Sequence, residues 1–338
     1  MKKRAVSIDL IKTIAIFFVM ITHMLNYRGA FQGSLSIIWD IQCFVKYIAI
    51  TGVLLFILIT GYLQSRKGFT LKYYISIIPV LVSYFIITIG ESAVERIFFH
   101  KDVFNLAHVV GIFDYTYGYG WYVEMYIGLF LIIPFLNKLF SSLTSSGQLC
   151  LILILCIMTC LPTMFEGITV SGVALRIFPD FFKNLYVITI YYVGAYIREH
   201  QPVVSKLKCA LVMLLVLVAE TVYCHICSQT EYAWWVFNNV GALSHCIVAV
   251  CIFLMLYRLN ITNRLISAVT YSFSSCSLEI YLISYITDML CYNHLRLNIV
   301  LVFIINVFTA FVSAKVVKLA STLISKILQN GILKIADR

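Results

Sequence analysis

Charged residues are scarce in this sequence: they make up 12% of its 338 residues, whereas 62% are hydrophobic and the mean hydropathy is +0.95. A water-soluble globular protein carries about a quarter of its residues as charges. The shortage of charge therefore excludes a soluble domain and predicts an all-α, polytopic integral membrane protein. The net charge of +10 does not indicate a nucleic-acid partner, because the positive side chains gather at helix ends.

The sequence also lacks features that would indicate other architectures. It has no low-complexity linker and no matched pair of Gly- or Pro-interrupted helices of the kind that inverted-repeat transporters carry. The basic start Met1–Arg4 precedes an apolar run, but that run contains Asp9 and Lys12 and has no small-residue cleavage site. It therefore predicts a retained first span and not a cleaved signal peptide.

Apolar runs bounded by charge predict about ten spans of about 20 residues each. Their approximate bounds are 7–27, 46–64, 72–90, 121–139, 148–165, 184–198, 208–226, 239–257, 265–289 and 297–318. Apart from Lys12, 17 Lys and Arg side chains lie at one set of span ends and seven at the other. This asymmetry predicts that both termini are cytoplasmic. We expect a single transmembrane domain over 1–338, with an amphipathic tail, 320–338, on the inner membrane surface.

The first span carries ionisable side chains that a lipid-facing helix would not favour: Asp9 and Lys12 near its start and His23 near its end. The step from Lys12 to His23 turns an α-helix by about 1100°, so both side chains share one face, about 16 Å apart along the axis. Asp9 lies one turn before Lys12, within pairing distance. Ionisable groups inside a span mark a site by default. The structural alternative places Lys12 and His23 at the two membrane interfaces.

Two acidic side chains, Glu124 and Glu279, also lie within predicted spans. Each can orient His23 or a substrate hydroxyl, since intramembrane acids are usually functional. The alternative is a structural role, in which each acid pairs with Lys46 or with a backbone group. The sequence leaves both interpretations open.

The longest predicted outer segment, Ser92–Gly120, contains Tyr117 and leads directly into Trp121 and Tyr122. Aromatic residues at this depth are typical of an interfacial belt. A concave aromatic surface would also suit stacking on sugar rings. The belt is the favoured interpretation, with sugar binding as the alternative.

A cluster of potential metal ligands lies at the end of the seventh predicted span, where Cys224, His225 and Cys227 stand close together and His245 and Cys246 come later. The spacing lacks the second ligand pair that a structural zinc site requires. Ordinary packing is therefore favoured over a metal site.

Four segments carry a resemblance to a known family. The run 52–63 reads Gly-Val-Leu-Leu-Phe-Ile-Leu-Ile-Thr-Gly-Tyr-Leu, in which the small residues Gly52, Thr60 and Gly61 also permit close helix packing. The other three are Ile8-Asp9-Leu10-Ile11-Lys12 followed by His23, Trp121-Tyr122 followed by Gly128 and Pro134, and Ser277-Leu278-Glu279-Ile280-Tyr281-Leu282-Ile283. Together they resemble the membrane-bound acyltransferase-3 family, which O-acetylates surface sugars.

The resemblance implies a multi-pass O-acetyltransferase of the bacterial cytoplasmic membrane. It would move an acetyl group from cytoplasmic acetyl-CoA to a hydroxyl of a surface polysaccharide or its lipid-linked sugar precursor, without a metal. Its partners would be membrane lipid, the acyl-CoA and the glycan.

The same resemblance, with the chemistry of each side chain, suggests roles for individual residues. A histidine can take the hydroxyl proton, and cations can hold the phosphates of CoA. The expected catalytic residues are His23, Glu124 and Glu279; the donor-binding residues are Lys12, Arg66, Lys67 and Lys72; and the acceptor-binding residues are Asp9, Tyr117, Trp121 and Tyr122.

Three departures from the family pattern concern donor binding more than the reaction. Lys12 replaces an arginine and so loses its bidentate fork. Lys72 alone represents an arginine pair before Pro79, and Ser284 replaces a late histidine. Two alternatives stay open: a transporter or glycan flippase that uses the same charges as a path, and the same fold with succinyl or another acyl group. The oligomeric state is also open, a homodimer being one alternative.

Overall fold

The computed structural model describes residues 5–27, 35–100, 119–165, 169–170, 173–174, 179, 181–228, 232–233 and 236–336. In these ranges the chain is helical except for loops and a two-stranded antiparallel hairpin, β1 (Thr169–Val170) and β2 (Val173–Ala174). The predicted all-α class is therefore confirmed. By Cα proximity the chain forms two compact units, unit 1 (Met1–Arg66 and Leu136–Ser274) and unit 2 (Lys67–Phe135 and Ser275–Arg338).

Unit 1 contains most of the helices. They are α1 (Val6–Tyr27), α2 (Ile37–Ala49), α3 (Gly52–Gln64), the end of α6 (Trp121–Ser141), α7 (Ser145–Leu155), α8 (Tyr186–His200), α9 (Lys206–Cys227), α10 (Leu243–Leu256) and α11 (Arg264–Ser274). After α7 come a π turn at Cys156–Cys160 and a 3-10 turn at Pro162–Phe165, and a further 3-10 turn at Lys183–Leu185 precedes α8.

Close packing of α3 on α8 forms the middle of unit 1. A methyl group at Gly61 would overlap the carbonyl oxygen of Tyr191, and one at Gly194 would overlap that of Leu58. Glycine is thus needed on both helices for this approach, and Gly61 is one of the small residues whose packing role the sequence predicts. The surrounding core includes Tyr47, Leu54 and Phe253, all fully buried.

Unit 2 contains α4 (Leu71–Ile75), α5 (Ile78–Phe99), the first part of α6, α12 (Ser277–His294) and α13 (Ile299–Ala336). Helices α5, α12 and α13 pack on one another. Tyr73 stacks on the ring of Phe130, with 4.3 Å between ring centroids, and its hydroxyl donates to the Phe130 carbonyl at 2.6 Å. This contact fixes α4 against the first part of α6.

The helix boundaries follow local sequence signals. Thr70, Thr144 and Ser205 are N-caps whose side-chain oxygens accept from backbone N–H groups at the starts of α4, α7 and α9. Pro79 stands in the first turn of α5, where its missing N–H costs no helical hydrogen bond. The predicted third span is for this reason divided into α4 and α5.

Seven of the described helical stretches are long and apolar enough to cross a membrane, or eight if α11 and α12 form one broken span. The predicted sixth and eighth spans correspond to α8 and α10, which have only 15 and 14 residues. A perpendicular crossing needs about 20 residues. Each predicted span thus coincides with helix, but the described residues support a multi-pass membrane protein and not the count of ten.

Two segments outside the predicted spans extend helices. Residues 92–99, assigned above to an outer segment, continue α5 to Phe99. The tail, expected to lie along the inner membrane surface as an amphipathic segment, continues α13 without a break to Ala336. Ser321 and Ser325 are buried in it, and the Gln329 side chain donates to the Ile75 carbonyl at 3.2 Å. Packing on unit 2 therefore accounts for the continuous helix.

Candidate active site

The Lys12–His23 face of α1 lies on one uninterrupted helix, so the face that the sequence predicts is present in the structure. Both side chains are half-buried. Ile16, Val19 and Met20, which share that face between them, are buried, at 1%, 4% and 1% exposure. A lipid-facing stripe would be exposed, so this face of α1 packs against protein.

Asp9 is tied to α11 in unit 1. Its Oδ1 accepts a hydrogen bond from the Ser274 hydroxyl at 2.9 Å, and its side chain is buried. One turn later, the Thr13 hydroxyl lies 2.9 Å from the Asp9 carbonyl and 3.1 Å from that of Thr270. These contacts hold the start of α1 and give the Asp9 side chain a structural partner on α11.

The remaining predicted donor-binding residues lie on the surface. Arg66, Lys67 and Lys72 are exposed in the segment that joins α3 to α4 and in the first turn of α4. Arg66 belongs to unit 1, whereas Lys67 and Lys72 belong to unit 2. Exposed cations at a span end can meet a phosphate group without first losing a buried partner.

Glu279 is held in unit 2 at 1% exposure. Its Oε1 accepts from the Ser83 hydroxyl at 2.7 Å and from the Lys318 ammonium at 3.0 Å. For Glu279 the predicted structural partner, Lys46 or a backbone group, is wrong, because its partners are Lys318 and Ser83. For Glu124 the same alternative stays a prediction. The Lys46 ammonium also donates to the Tyr232 hydroxyl at 2.5 Å in unit 1. Burial raises the pKa of Tyr232, so the neutral phenol accepts this bond.

The predicted aromatic residues of unit 2 pack together. The Tyr122 ring contacts Trp121, with centroids 6.1 Å apart, and Tyr281, at 5.5 Å. The Tyr119 ring contacts Tyr281 and Tyr285 and its hydroxyl lies 2.8 Å from Asp288 Oδ2.

Glu124 is half-buried near the start of α6. Tyr117 lies outside the described residues.

Sequence reasoning missed three buried acids of unit 2: Glu91, Glu95 and Asp288. The Tyr285 hydroxyl donates to Glu95 Oε1 at 3.1 Å, and the Asn306 amide donates to Asp288 Oδ1 at 2.6 Å. Glu91 and Glu95 lie outside the predicted third span, which ends at residue 90. The rule that marked Glu124 and Glu279 would also have marked Asp288.

Two acid–histidine pairs in unit 1 were also missed. His225 Nδ1 lies 2.7 Å from Asp40 Oδ1, and His245 Nε2 lies 3.3 Å from Glu220 Oε1. In the sequence, His225 and His245 belong to the cluster of potential metal ligands for which ordinary packing is favoured. Among the described residues, no group of three or more His, Cys, Asp or Glu side chains is placed to hold a metal ion.

Comparison with known proteins gives a family match. The acyltransferase 3 family model, described as an acyltransferase domain, matches residues 5–318 and so runs through both units. No significant match was found among curated proteins or among solved structures.

Proposed function

The chain belongs to the acyltransferase 3 family, and we propose from this that it is an O-acetyltransferase. It would move an acetyl group from cytoplasmic acetyl-CoA to a hydroxyl of a surface polysaccharide or of its lipid-linked sugar precursor, in the bacterial cytoplasmic membrane. The observation that carries this proposal beyond the family match is the protein-facing side of α1, which bears Lys12 and His23 with a buried apolar stripe between them.

In the proposed reaction, the neutral His23 ring takes the proton of the acceptor hydroxyl as its oxygen attacks the acetyl carbonyl carbon. The new C–O bond forms, the C–S bond to CoA breaks, and the sulfur leaves as a thiolate. The imidazolium then returns the proton to that sulfur. Lys12 and the exposed cations Arg66, Lys67 and Lys72 would hold the CoA phosphates.

Acidic and aromatic residues complete the proposal. Glu279 and Glu124 are assigned to orienting the base or the acceptor hydroxyl. Asp9 and the aromatic residues Tyr117, Trp121 and Tyr122 are assigned to the acceptor. Both termini are placed in the cytoplasm, and acyl groups other than acetyl are the first alternative.

The decisive experiment is acetyl transfer by His23→Ala in purified, membrane-reconstituted protein. Loss of a general base typically lowers the rate by about 10²–10⁴-fold. His294→Ala, at an exposed histidine outside the proposed site, is the matched control and should keep wild-type activity. Near-normal acetylation by His23→Ala would reject the base assignment. A wild-type protein that neither hydrolyses nor exchanges acetyl-CoA would favour the transporter alternative.

Lys12 is tested by the split between substrate binding and turnover. Lys12→Gln should weaken acetyl-CoA binding by about 1–3 kcal/mol and raise its KM with little change in kcat. Lys12→Arg keeps the charge and should bind acetyl-CoA at least as well. If Lys12 serves only as a partner of Asp9, Lys12→Gln and Asp9→Asn should lower thermal stability alike and leave donor affinity unchanged.

The proposed topology can be checked independently by cysteine labelling. Asn238 is exposed in the loop between α9 and α10, and Gly68 is exposed between α3 and α4. In a background without the exposed Cys150, a membrane-impermeant reagent applied to intact cells should label Asn238→Cys and not Gly68→Cys. The reverse pattern would place the termini outside.

A further inference from the structure

A groove runs between α2 and α9 in unit 1, and it is separate from the predicted catalytic residues. It has a volume of about 470 Å³, within the usual range of small-molecule sites. Aliphatic and aromatic side chains, including Ile41 and Phe44 of α2 and Val222 of α9, form most of its wall. Its polar lining residues are Asp40, Thr221 and His225.

The walls of this groove suit a hydrocarbon chain. Both of its helices belong to stretches that are apolar and long enough to cross a membrane, Ile37–Gln64 and Lys206–Cys227. Ile41 is 56% exposed and Val222 is 51% exposed, so the groove opens along the side of the α2–α9 helix pair. An opening of this kind on a membrane-crossing helix pair faces acyl chains, which can enter without passing through water.

The polar end suits a neutral hydroxyl. Asp40 stands in the first turn of α2 and His225 in the last turn of α9, so the pair lies where α2 begins and α9 ends. Because a carboxylate only accepts hydrogen bonds, the 2.7 Å contact puts the proton on His225 Nδ1. In the neutral ring, Nε2 then carries a lone pair. In this form the end offers the Nε2 lone pair and the Asp40 carboxylate as acceptors for hydroxyl donors.

We propose that the α2–α9 groove binds a glycolipid, with its hydrocarbon chain along the apolar wall and a sugar hydroxyl donating to His225 Nε2. The proposal rests on the proposed function, to which it adds a binding site for the hydrocarbon chain of a lipid-linked acceptor, apart from the acceptor residues proposed above. The bonding is complementary at both ends: chain against aliphatic side chains, and hydroxyl against the Asp40–His225 pair. On the proposed topology, this end of α9 faces the side where surface glycans are built.

The first test is photo-crosslinking of the full protein in lipid nanodiscs with dodecyl β-glucoside that carries a diazirine in its alkyl chain. Labelling should concentrate on the part of α9 from Val218 to Ile226. Val222→Trp fills the groove and should reduce labelling by about tenfold, in the range for steric exclusion from an apolar pocket. Val212→Trp, at a 45% exposed valine of α9 outside the groove, is the matched control and should label like wild type.

Competition identifies the head group. Unlabelled dodecyl β-glucoside should displace the probe from wild type, whereas phosphatidylglycerol should not. His225→Gln and Asp40→Asn should each remove this preference for the sugar while the chain still labels the groove. Equal competition by phosphatidylglycerol, or labelling that Val222→Trp does not reduce, would overturn the proposal in favour of ordinary boundary lipid.

Kinetics separates this inference from the proposed function. Val222→Trp should raise the KM for a lipid-linked sugar acceptor about tenfold or more, and the KM for acetyl-CoA much less. An equal rise in both KM values would overturn the acceptor assignment. A wild-type protein without acetyl-CoA turnover would reject the proposed function, and the crosslinking would still decide whether the groove holds a glycolipid.

Discussion

Helix α9 carries one member of each of two acid–histidine pairs, and their surroundings differ sharply. His225 pairs with Asp40 at 2.7 Å, and the two side chains are 44% and 28% exposed. Glu220 pairs with His245 at 3.3 Å, and these side chains are 2% and 0% exposed. Five residues of α-helix turn by about 500°, so Glu220 and His225 project about 140° apart. One pair lines a groove and the other lies inside unit 1.

Proton positions follow from the contacts of the buried pair. His245 Nδ1 lies 3.1 Å from the Asn239 carbonyl, which can only accept, so Nδ1 carries a proton. Nε2 lies 3.3 Å from Glu220 Oε1, but neither atom makes a hydrogen bond. Lone pairs on both Nε2 and Oε1 would repel each other, so one further proton lies either on Nε2 or on the Glu220 carboxyl group. The pair is neutral overall whichever partner holds it.

The comparison teaches that burial decides what an acid–histidine pair can do. A pair that is closed to solvent and to ligand can exchange no group with a substrate, and it stabilises the packing of α9 on α10. A half-exposed pair at the end of a groove can orient a ring nitrogen toward a bound molecule. Disruption of the first pair should lower the stability of the protein strongly, and disruption of the second should lower it little.

The largest expected effect is on the buried pair. His245→Ala leaves a cavity inside unit 1 and takes the imidazole away from the buried Glu220 carboxyl, and a large-to-small core substitution of this kind costs about 3–5 kcal/mol of stability. Thermal unfolding in detergent should therefore show a strongly lowered midpoint. Glu220→Ala should act alike, because the pair is a single unit.

The double variant Glu220→Leu with His245→Leu provides the control. It replaces both polar groups with apolar ones of similar size and should recover much of the lost stability. A double variant as unstable as the sum of the single ones would mean that the two residues act independently. The statement that Glu220 and His245 stabilise unit 1 as a pair would then be wrong.

An intermediate effect is expected in unit 2, where Glu279 is 1% exposed but its partner Lys318 is 37% exposed. Lys318→Met removes the charge and keeps the chain length, and Ser83 still donates to the carboxylate. The expected loss is about 1–3 kcal/mol, the cost of leaving a buried polar group incompletely satisfied. Lys326→Met, at an exposed lysine of the same helix, should leave the unfolding midpoint unchanged. A loss of stability as large as that of His245→Ala would show that exposure of one partner does not reduce the cost of removing it.

Local geometry explains which parts the sequence predicts well. The shared face of Lys12 and His23 depends only on an uninterrupted helix, and α1 supplies it from Val6 to Tyr27. The close approach at Gly61 follows from residue size in the same way. Such features need no knowledge of which helices become neighbours.

The side-chain pairs that the sequence does not predict depend on which helices pack together in the tertiary structure. Asp40 lies outside the predicted spans because polar residues between Ile37 and Lys46 lower the hydropathy of α2. Glu220 lies within the seventh predicted span, but its partner His245 follows a loop and lies in the first turn of another helix. No periodicity joins two residues across a loop, so the pair is invisible until α9 and α10 pack together.

The smallest stability effect is expected at Asp40. Asp40→Asn keeps the shape of the side chain and removes its charge, and partly exposed ion pairs contribute about 0–1 kcal/mol. His225→Gln should be equally mild, and a double-mutant cycle on thermal stability should give a coupling within the same small range. Sugar-dependent binding of the alkyl glucoside should nevertheless fall in both variants, because neither retains the Asp40–His225 arrangement that fixes the lone pair at Nε2. A midpoint lowered as far as in His245→Ala would instead make the Asp40–His225 pair a structural clamp, and the distinction between the two pairs of α9 would no longer hold.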